Sequence, residues 1–101
     1  MVVREHFDVG DVIRLSAAFT SDDVGVDPDG VVFRVLTPSR VESTWTYNTD
    51  PEVIRSSPGN YYLELEIDEP GTWYYRIEGT GNYQSADERQ FLVSPSEFTT
   101  I

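Results

Sequence analysis

Glu69-Pro70-Gly71-Thr72-Trp73-Tyr74-Tyr75-Arg76-Ile77-Glu78-Gly79 reads as a turn, a strand and a glycine stop. Pro70 presets φ and Gly71 tolerates a positive φ, so the pair makes a turn. Beyond it the side chains alternate. Trp73, Tyr75 and Ile77 fall on one face, and Tyr74, Arg76 and Glu78 on the other. A period of two with large apolar groups on one side marks a strand that covers a core. The stretch therefore reads as the central strand of an all-β domain, with no feature of an active site.

The rest of the chain repeats the pattern. Residues 12–20 read as a strand with Ile13, Leu15, Ala17 and Phe19 inside, and Val12 and Ala18 on the other face suggest unusually deep burial. Residues 21–30 are rich in Asp, Gly and Pro and read as a loop. In 31–37, Val31, Phe33 and Val35 oppose Val32, Arg34 and Leu36, and Pro38 ends the run. Residues 41–48 put Val41, Ser43, Trp45 and Tyr47 on one side. Val53 and Ile54 suggest a short strand before the turn at Ser57-Pro58-Gly59-Asn60. Residues 61–68 alternate most regularly, with Tyr61, Leu63, Leu65 and Ile67 inside. A last strand over 83–93 buries Phe91 and Val93, and its polar middle, 85–89, is expected to bulge or loop out.

Short strands with turns every 8–12 residues are the mark of an antiparallel sandwich or small barrel. The 101 residues suit one domain, here 10–95, with an arm or edge strand at 1–9 and a tail at 96–101. Phe98 and Ile101 in that tail have no evident core position and would pack on the domain or reach a neighbour.

Charge narrows the partners. Eighteen acidic residues face seven basic ones, all arginine, for a net charge of −11. Phosphate binding needs clustered Lys and Arg, so nucleic acid and anionic membrane are excluded as partners. The acidic exterior serves solubility, or docking on a basic protein surface. There are no cysteines, hence no disulfide and no thiolate metal site. The first residues have no apolar run of the kind a signal peptide needs, so synthesis in the cytoplasm is expected.

Two resemblances follow. Glu69, Gly71 and Trp73 resemble the tyrosine corner of immunoglobulin-like domains, with Trp73 at the tyrosine position and Tyr75 at that of the core cysteine. The resemblance implies an immunoglobulin-like or fibronectin-type antiparallel β-sandwich of about seven to eight strands. More widely, Gly10-Asp11-Val12-Ile13-Arg14-Leu15-Ser16-Ala17-Ala18-Phe19, Asp27-Pro28, Gly59-Asn60-Tyr61-Tyr62-Leu63, Pro70-Gly71-Thr72-Trp73-Tyr74-Tyr75-Arg76, Glu78-Gly79-Thr80-Gly81 and Phe91-Leu92-Val93 look like small proteins of tailed bacteriophages. This second resemblance implies a non-enzymatic virion protein without cofactor, most simply a capsid decoration (cement) protein. A head–tail or tail adaptor is the near alternative. The implied location is the virion, and the implied partners are capsid or other virion proteins, or a second copy of the chain.

Candidate chemistry is sparse. His6 is the one histidine, and no nucleophile-elbow motif accompanies it. Glu64 and Glu66 share a strand face but read as a solvated exterior. Asp22, Asp23, Asp27 and Asp29 offer oxygens to Ca²⁺ without the spacing of an EF-hand. Trp45, Tyr47 and Tyr62, if exposed, would suit a glycan- or receptor-binding module. The best-motivated surface is different. Strands 31–37, 72–78 and 90–93 should be sheet neighbours, and their outward residues Val32, Arg34, Leu36, Tyr74, Arg76 and Leu92 combine apolar groups with arginine as interface cores do.

Overall fold

A computed structural model of the chain describes residues 6–95. The strands are β1 (His6–Asp8), β2 (Val12–Ala18), β3 (Thr20–Ser21), β4 (Val24–Gly25), β5 (Gly30–Leu36), β6 (Glu42–Thr46), β7 (Ile54–Ser57), β8 (Asn60–Glu66), β9 (Gly71–Thr80) and β10 (Ser85–Ser94). A five-stranded sheet runs β1-β10-β9-β5-β6, a three-stranded sheet runs β2-β8-β7, and β3 pairs only with β4. All pairings are antiparallel except β1 with β10. In immunoglobulin terms the larger sheet is G-F-C-C′ with a leading edge strand, and the smaller is B-E-D. The chain is an all-β sandwich of the immunoglobulin-like type.

The core lies between the sheets and follows the alternation. Val31, Phe33 and Val35 of β5 and Trp73, Tyr75 and Ile77 of β9 face Ile13 and Leu15 of β2 and Tyr61 and Leu63 of β8, all buried. Trp73 stacks on Phe91 with centroids 5.9 Å apart, and Phe7 meets Phe91 edge-on at 5.4 Å. Such ring pairs add to what burial alone contributes.

The corner before β9 closes through the indole. Trp73 Nε1–H donates to the Glu69 carbonyl at 2.8 Å, satisfying the polar atom of a residue only 2% exposed. Gly71 sits at φ +124, and a Cβ there would meet the ring of Pro38 at 2.9 Å. Only glycine combines that φ with that approach.

Several expectations fail for identifiable reasons. Residues 85–89 do not loop out: Ser85 pairs with Gly79 and the register continues unbroken to Val93 and Gly71. They are polar because β1 covers β10 only from His6–Leu92 to Asp8–Ser94, leaving the first half of β10 as a sheet edge. Edges carry charges that deter pairing with other chains, and Arg89 Nε bonds Asp87 here at 3.0 Å. β9 does end at Thr80, within the glycine stop, but Gly79 itself lies buried in the strand, where a Cβ would be 2.7 Å from the Phe19 ring. Strand β2 is not deeply buried on both faces, since it is the edge of the smaller sheet and Val12 is 63% exposed. Val41 is 58% exposed because it closes the β5–β6 turn, its carbonyl accepting from the Thr37 N–H and its N–H donating to the Thr37 hydroxyl. In the following connection Val53 is buried, and Ile54, which opens β7, is exposed. The loop 21–30 contains a hairpin unread in the sequence, turned by Asp22 and Asp23 at φ 51 and 64. Residues 6–8 of the expected arm are the edge strand β1, whereas the side chain of His6 and the tail residues Phe98 and Ile101 lie outside what is described.

The corner predicts a difference between two substitutions. Both Trp73→Tyr and Trp73→Phe lose ring volume, but tyrosine keeps a donor for the Glu69 carbonyl. Chemical denaturation should find Trp73→Tyr more stable than Trp73→Phe by about 1 kcal/mol. Equal stabilities would mean that the bond contributes nothing.

Candidate functional site

The outer face of the larger sheet is built by register. Arg34 lies opposite Thr44 on β6 and opposite Arg76 on β9, and Arg76 lies opposite Glu88 on β10. One row along, Leu36 is flanked by Glu42 and Tyr74, and one row the other way Val32 is flanked by Thr46 and Glu78. Like charges directly opposite destabilise a sheet, so the Arg34–Arg76 pair needs anions around it. It has three. Arg34 bonds Glu42 Oε2 at 3.1 Å and Glu78 Oε2 at 3.5 Å, and Arg76 bonds Glu78 Oε2 at 2.6 Å and Glu88 Oε1 at 3.5 Å. The result is a chain of alternating charge, Glu42–Arg34–Glu78–Arg76–Glu88, crossing four strands.

The electrostatics follow. The Arg76 hydrogen bond, aided by the Arg34 charge, holds the Glu78 carboxyl below the usual range against a smaller upward push from burial. Hydrogen bonds that Arg34 donates to Glu42 and Arg76 donates to Glu78 raise both guanidinium pKa values, so both stay charged. The Arg34 and Arg76 side chains remain 41% exposed, so the ladder is reachable from solvent. Exposed pairs of this kind add little stability.

Beside the ladder is an open pocket of about 430 Å³ lined by Arg34, Leu36, Arg40, Tyr74, Arg76 and Glu88, among others. Of the six residues expected at an interface, Arg34, Leu36, Tyr74 and Arg76 meet here. Val32 and Leu92 share the face but stand outside the pocket at opposite ends, Leu92 opposite Thr72 and 40% exposed. Sequence reading misses Arg40, Glu42 and Glu88. Counting back by twos from Leu92 finds Glu88 once β10 is continuous, but Arg40 lies in a turn with no periodicity.

That turn is tied to the corner. Arg40 N–H donates to the Thr37 carbonyl at 2.9 Å, and Thr37 N–H to the Val41 carbonyl at 3.0 Å. Ser39 Oγ–H donates to Glu69 Oε2 at 3.1 Å. Glu69 thus accepts from Trp73 through its carbonyl and from the Arg40 turn through its carboxylate.

The other candidate residues lie elsewhere. Trp45, opposite Phe33, is half-buried against the core, and Tyr47 meets Tyr61 edge-on at 5.1 Å. Tyr62 lies on the smaller sheet with the Arg14 guanidinium 3.9 Å from its ring centre. The three aromatics therefore form no shared platform. Glu64 bonds Arg14 at 2.7 Å. Asp27 accepts from Arg55 Nε and Nη2, Gly59 N–H and Tyr61 Oη–H at 2.8–3.1 Å, and Asp29 accepts from Asn82 N–H. Among the described residues no group of three or more His, Cys, Asp or Glu could hold a metal ion. On the outer face the arrangement sets solvent-reachable guanidinium and carboxylate groups beside Leu36 and Tyr74.

No family model and no curated protein matches the chain. Solved structures do. A candidate glycoside hydrolase from Bacteroides vulgatus matches with a TM-score of 0.62 and 14% identity, over 92% of this chain and 17% of that one. The chitinase ChiW of a Paenibacillus species, a cell-surface multi-modular enzyme, matches with a TM-score of 0.63 and 14% identity, over 89% of this chain and 8% of that one. Each likeness shows the sandwich fold alone, because the chain spans a small part of each structure.

The Asp27 node makes a pH-dependent contribution. Hydrogen bonds from Arg55, Gly59 and Tyr61 hold its carboxyl well below the usual range, while burial and the Asp27 charge push Tyr61 up to about 12. A depressed carboxyl stabilises the fold above its unfolded pKa and ceases to do so as pH falls through the folded one. The Tm difference between wild type and Asp27→Asn should therefore be steady near neutrality and shrink below about pH 4. A constant difference down to the lowest pH would contradict this.

Proposed function

We propose that this chain is a non-enzymatic structural protein that docks on another protein through the outer face of β6-β5-β9-β10. One observation carries the reading. Strand register gathers Arg34, Leu36, Tyr74 and Arg76 round one open pocket, in a patch where three arginines balance three glutamates while the chain carries −11. A neutral patch of apolar and guanidinium groups on an acidic body is the place where association meets least repulsion. The partner's matching surface is then neutral to apolar rather than strongly basic.

The sequence resemblance to small proteins of tailed phages supports a place in the virion, with capsid decoration as the task. Many weak contacts on a symmetric shell gain from multivalency, so each face can be small. A head–tail or tail adaptor would use the same face on a different partner. A glycan-binding role draws no support from Trp45, Tyr47 and Tyr62, which are scattered and partly covered.

Sedimentation with heads and with tails purified from the virus encoding the chain tests the reading. Wild type should pellet with heads, and Tyr74→Asp or Leu36→Asp should not, with Tm within a few degrees of wild type. Pelleting with tails alone would favour the adaptor. Undiminished binding of both variants would remove the face from the account.

A further inference from the structure

The docking face carries an arginine that the fold itself does not use. Arg14, Arg34, Arg55, Arg76 and Arg89 all bond carboxylates. Arg40, among the described residues, bonds none, although 18 acidic side chains are present in the chain. Its guanidinium carbon lies 5.7 Å from the centre of the Tyr74 ring, at the wall of the pocket.

Its backbone is also unusual. Among the described residues the positive-φ residues other than glycine are Asp22, Asp23, Asn48 and Arg40, the last at φ 69. Asp and Asn enter the left-handed region readily because their short side chains bond the local backbone; arginine has no such compensation. The turn holds Arg40 there through Thr37 and through Ser39 on Glu69. A long cation is thus kept in a costly conformation, on an aromatic face, with its donors unspent. Strain held at one residue by its surroundings points to use.

We infer that Arg40 receives a single carboxylate, the side chain of an Asp or Glu on the docking partner; this rests on the docking reading above. A guanidinium presents paired donors that match a carboxylate edge to edge, and stacking on Tyr74 leaves that edge free. Arg34 and Arg76 are already paired with Glu42, Glu78 and Glu88, so the patch as a whole is neutral and Arg40 is the pocket's one guanidinium, among the described residues, that no carboxylate bonds. A polyanion would set many charges against the −11 of the whole chain. One carboxylate set among apolar groups meets only the local patch, with Leu36 and Tyr74 taking the apolar part.

Two variants and purified heads test this. Arg40→Gly removes the guanidinium and relieves the positive φ, so it should keep or raise Tm while weakening binding to heads about tenfold or more. It should also flatten the fall of affinity with salt, which a merely structural role would not do. Arg40→Lys keeps the charge without the fork and should bind between the two. If Arg40→Gly binds heads like wild type while Tyr74→Asp fails to bind, the carboxylate site is wrong and the docking face stands. If Tyr74→Asp and Leu36→Asp also bind like wild type, the docking reading itself fails, and this inference with it.

Discussion

The hydrogen bond from the Trp73 indole to the Glu69 carbonyl is the constraint on which the other features depend. A buried indole N–H without a partner costs on the order of 1–3 kcal/mol, so the chain must fold back within four residues to supply one. That return is the corner, and it needs Gly71 at a φ and a spacing from Pro38 that a Cβ would violate. With the corner closed, β9 enters the sheet in a fixed register. Trp73, Tyr75 and Ile77 then go to the core, and Tyr74, Arg76 and Glu78 to the outer face. The same Glu69 reaches Ser39 and steadies the turn that carries Arg40. One residue thereby couples the sandwich's closure to the candidate site.

The two faces of β9 use different physics. Inside, shape and area dominate, with Trp73 and Tyr75 packed around Phe91. Outside, the ladder of alternating charges adds little stability, because its members remain in contact with solvent. It neutralises the face locally on an otherwise acidic protein, which is what the proposed docking there would draw on.

How much of this the sequence discloses depends on where the information resides. The core of β5, β8 and β9 is legible because alternation is a property of one strand, and Phe33, Leu63 and Trp73 state it plainly. The corner is legible because Pro70, Gly71 and an aromatic two residues on leave few other conformations. Register is a property of two strands, so the neighbours Glu42 and Glu88 of the arginines do not show. The polarity of 85–89 marks a sheet edge, but in sequence an edge and a loop look alike. Arg40 is illegible for another reason: arginine carries no signal for a left-handed φ, and only the surrounding turn imposes it.

The central claim is that the outer face, and no other, meets the partner. Hydroxyl-radical footprinting of the protein free and bound to purified heads tests it directly, because it reads side-chain accessibility without altering the molecule. The account predicts that Leu36 and Tyr74 lose labelling on binding, while Val24 and Tyr83, exposed away from the face, keep it. Unchanged labelling at Leu36 and Tyr74, with protection at Val24 or Tyr83, would contradict it.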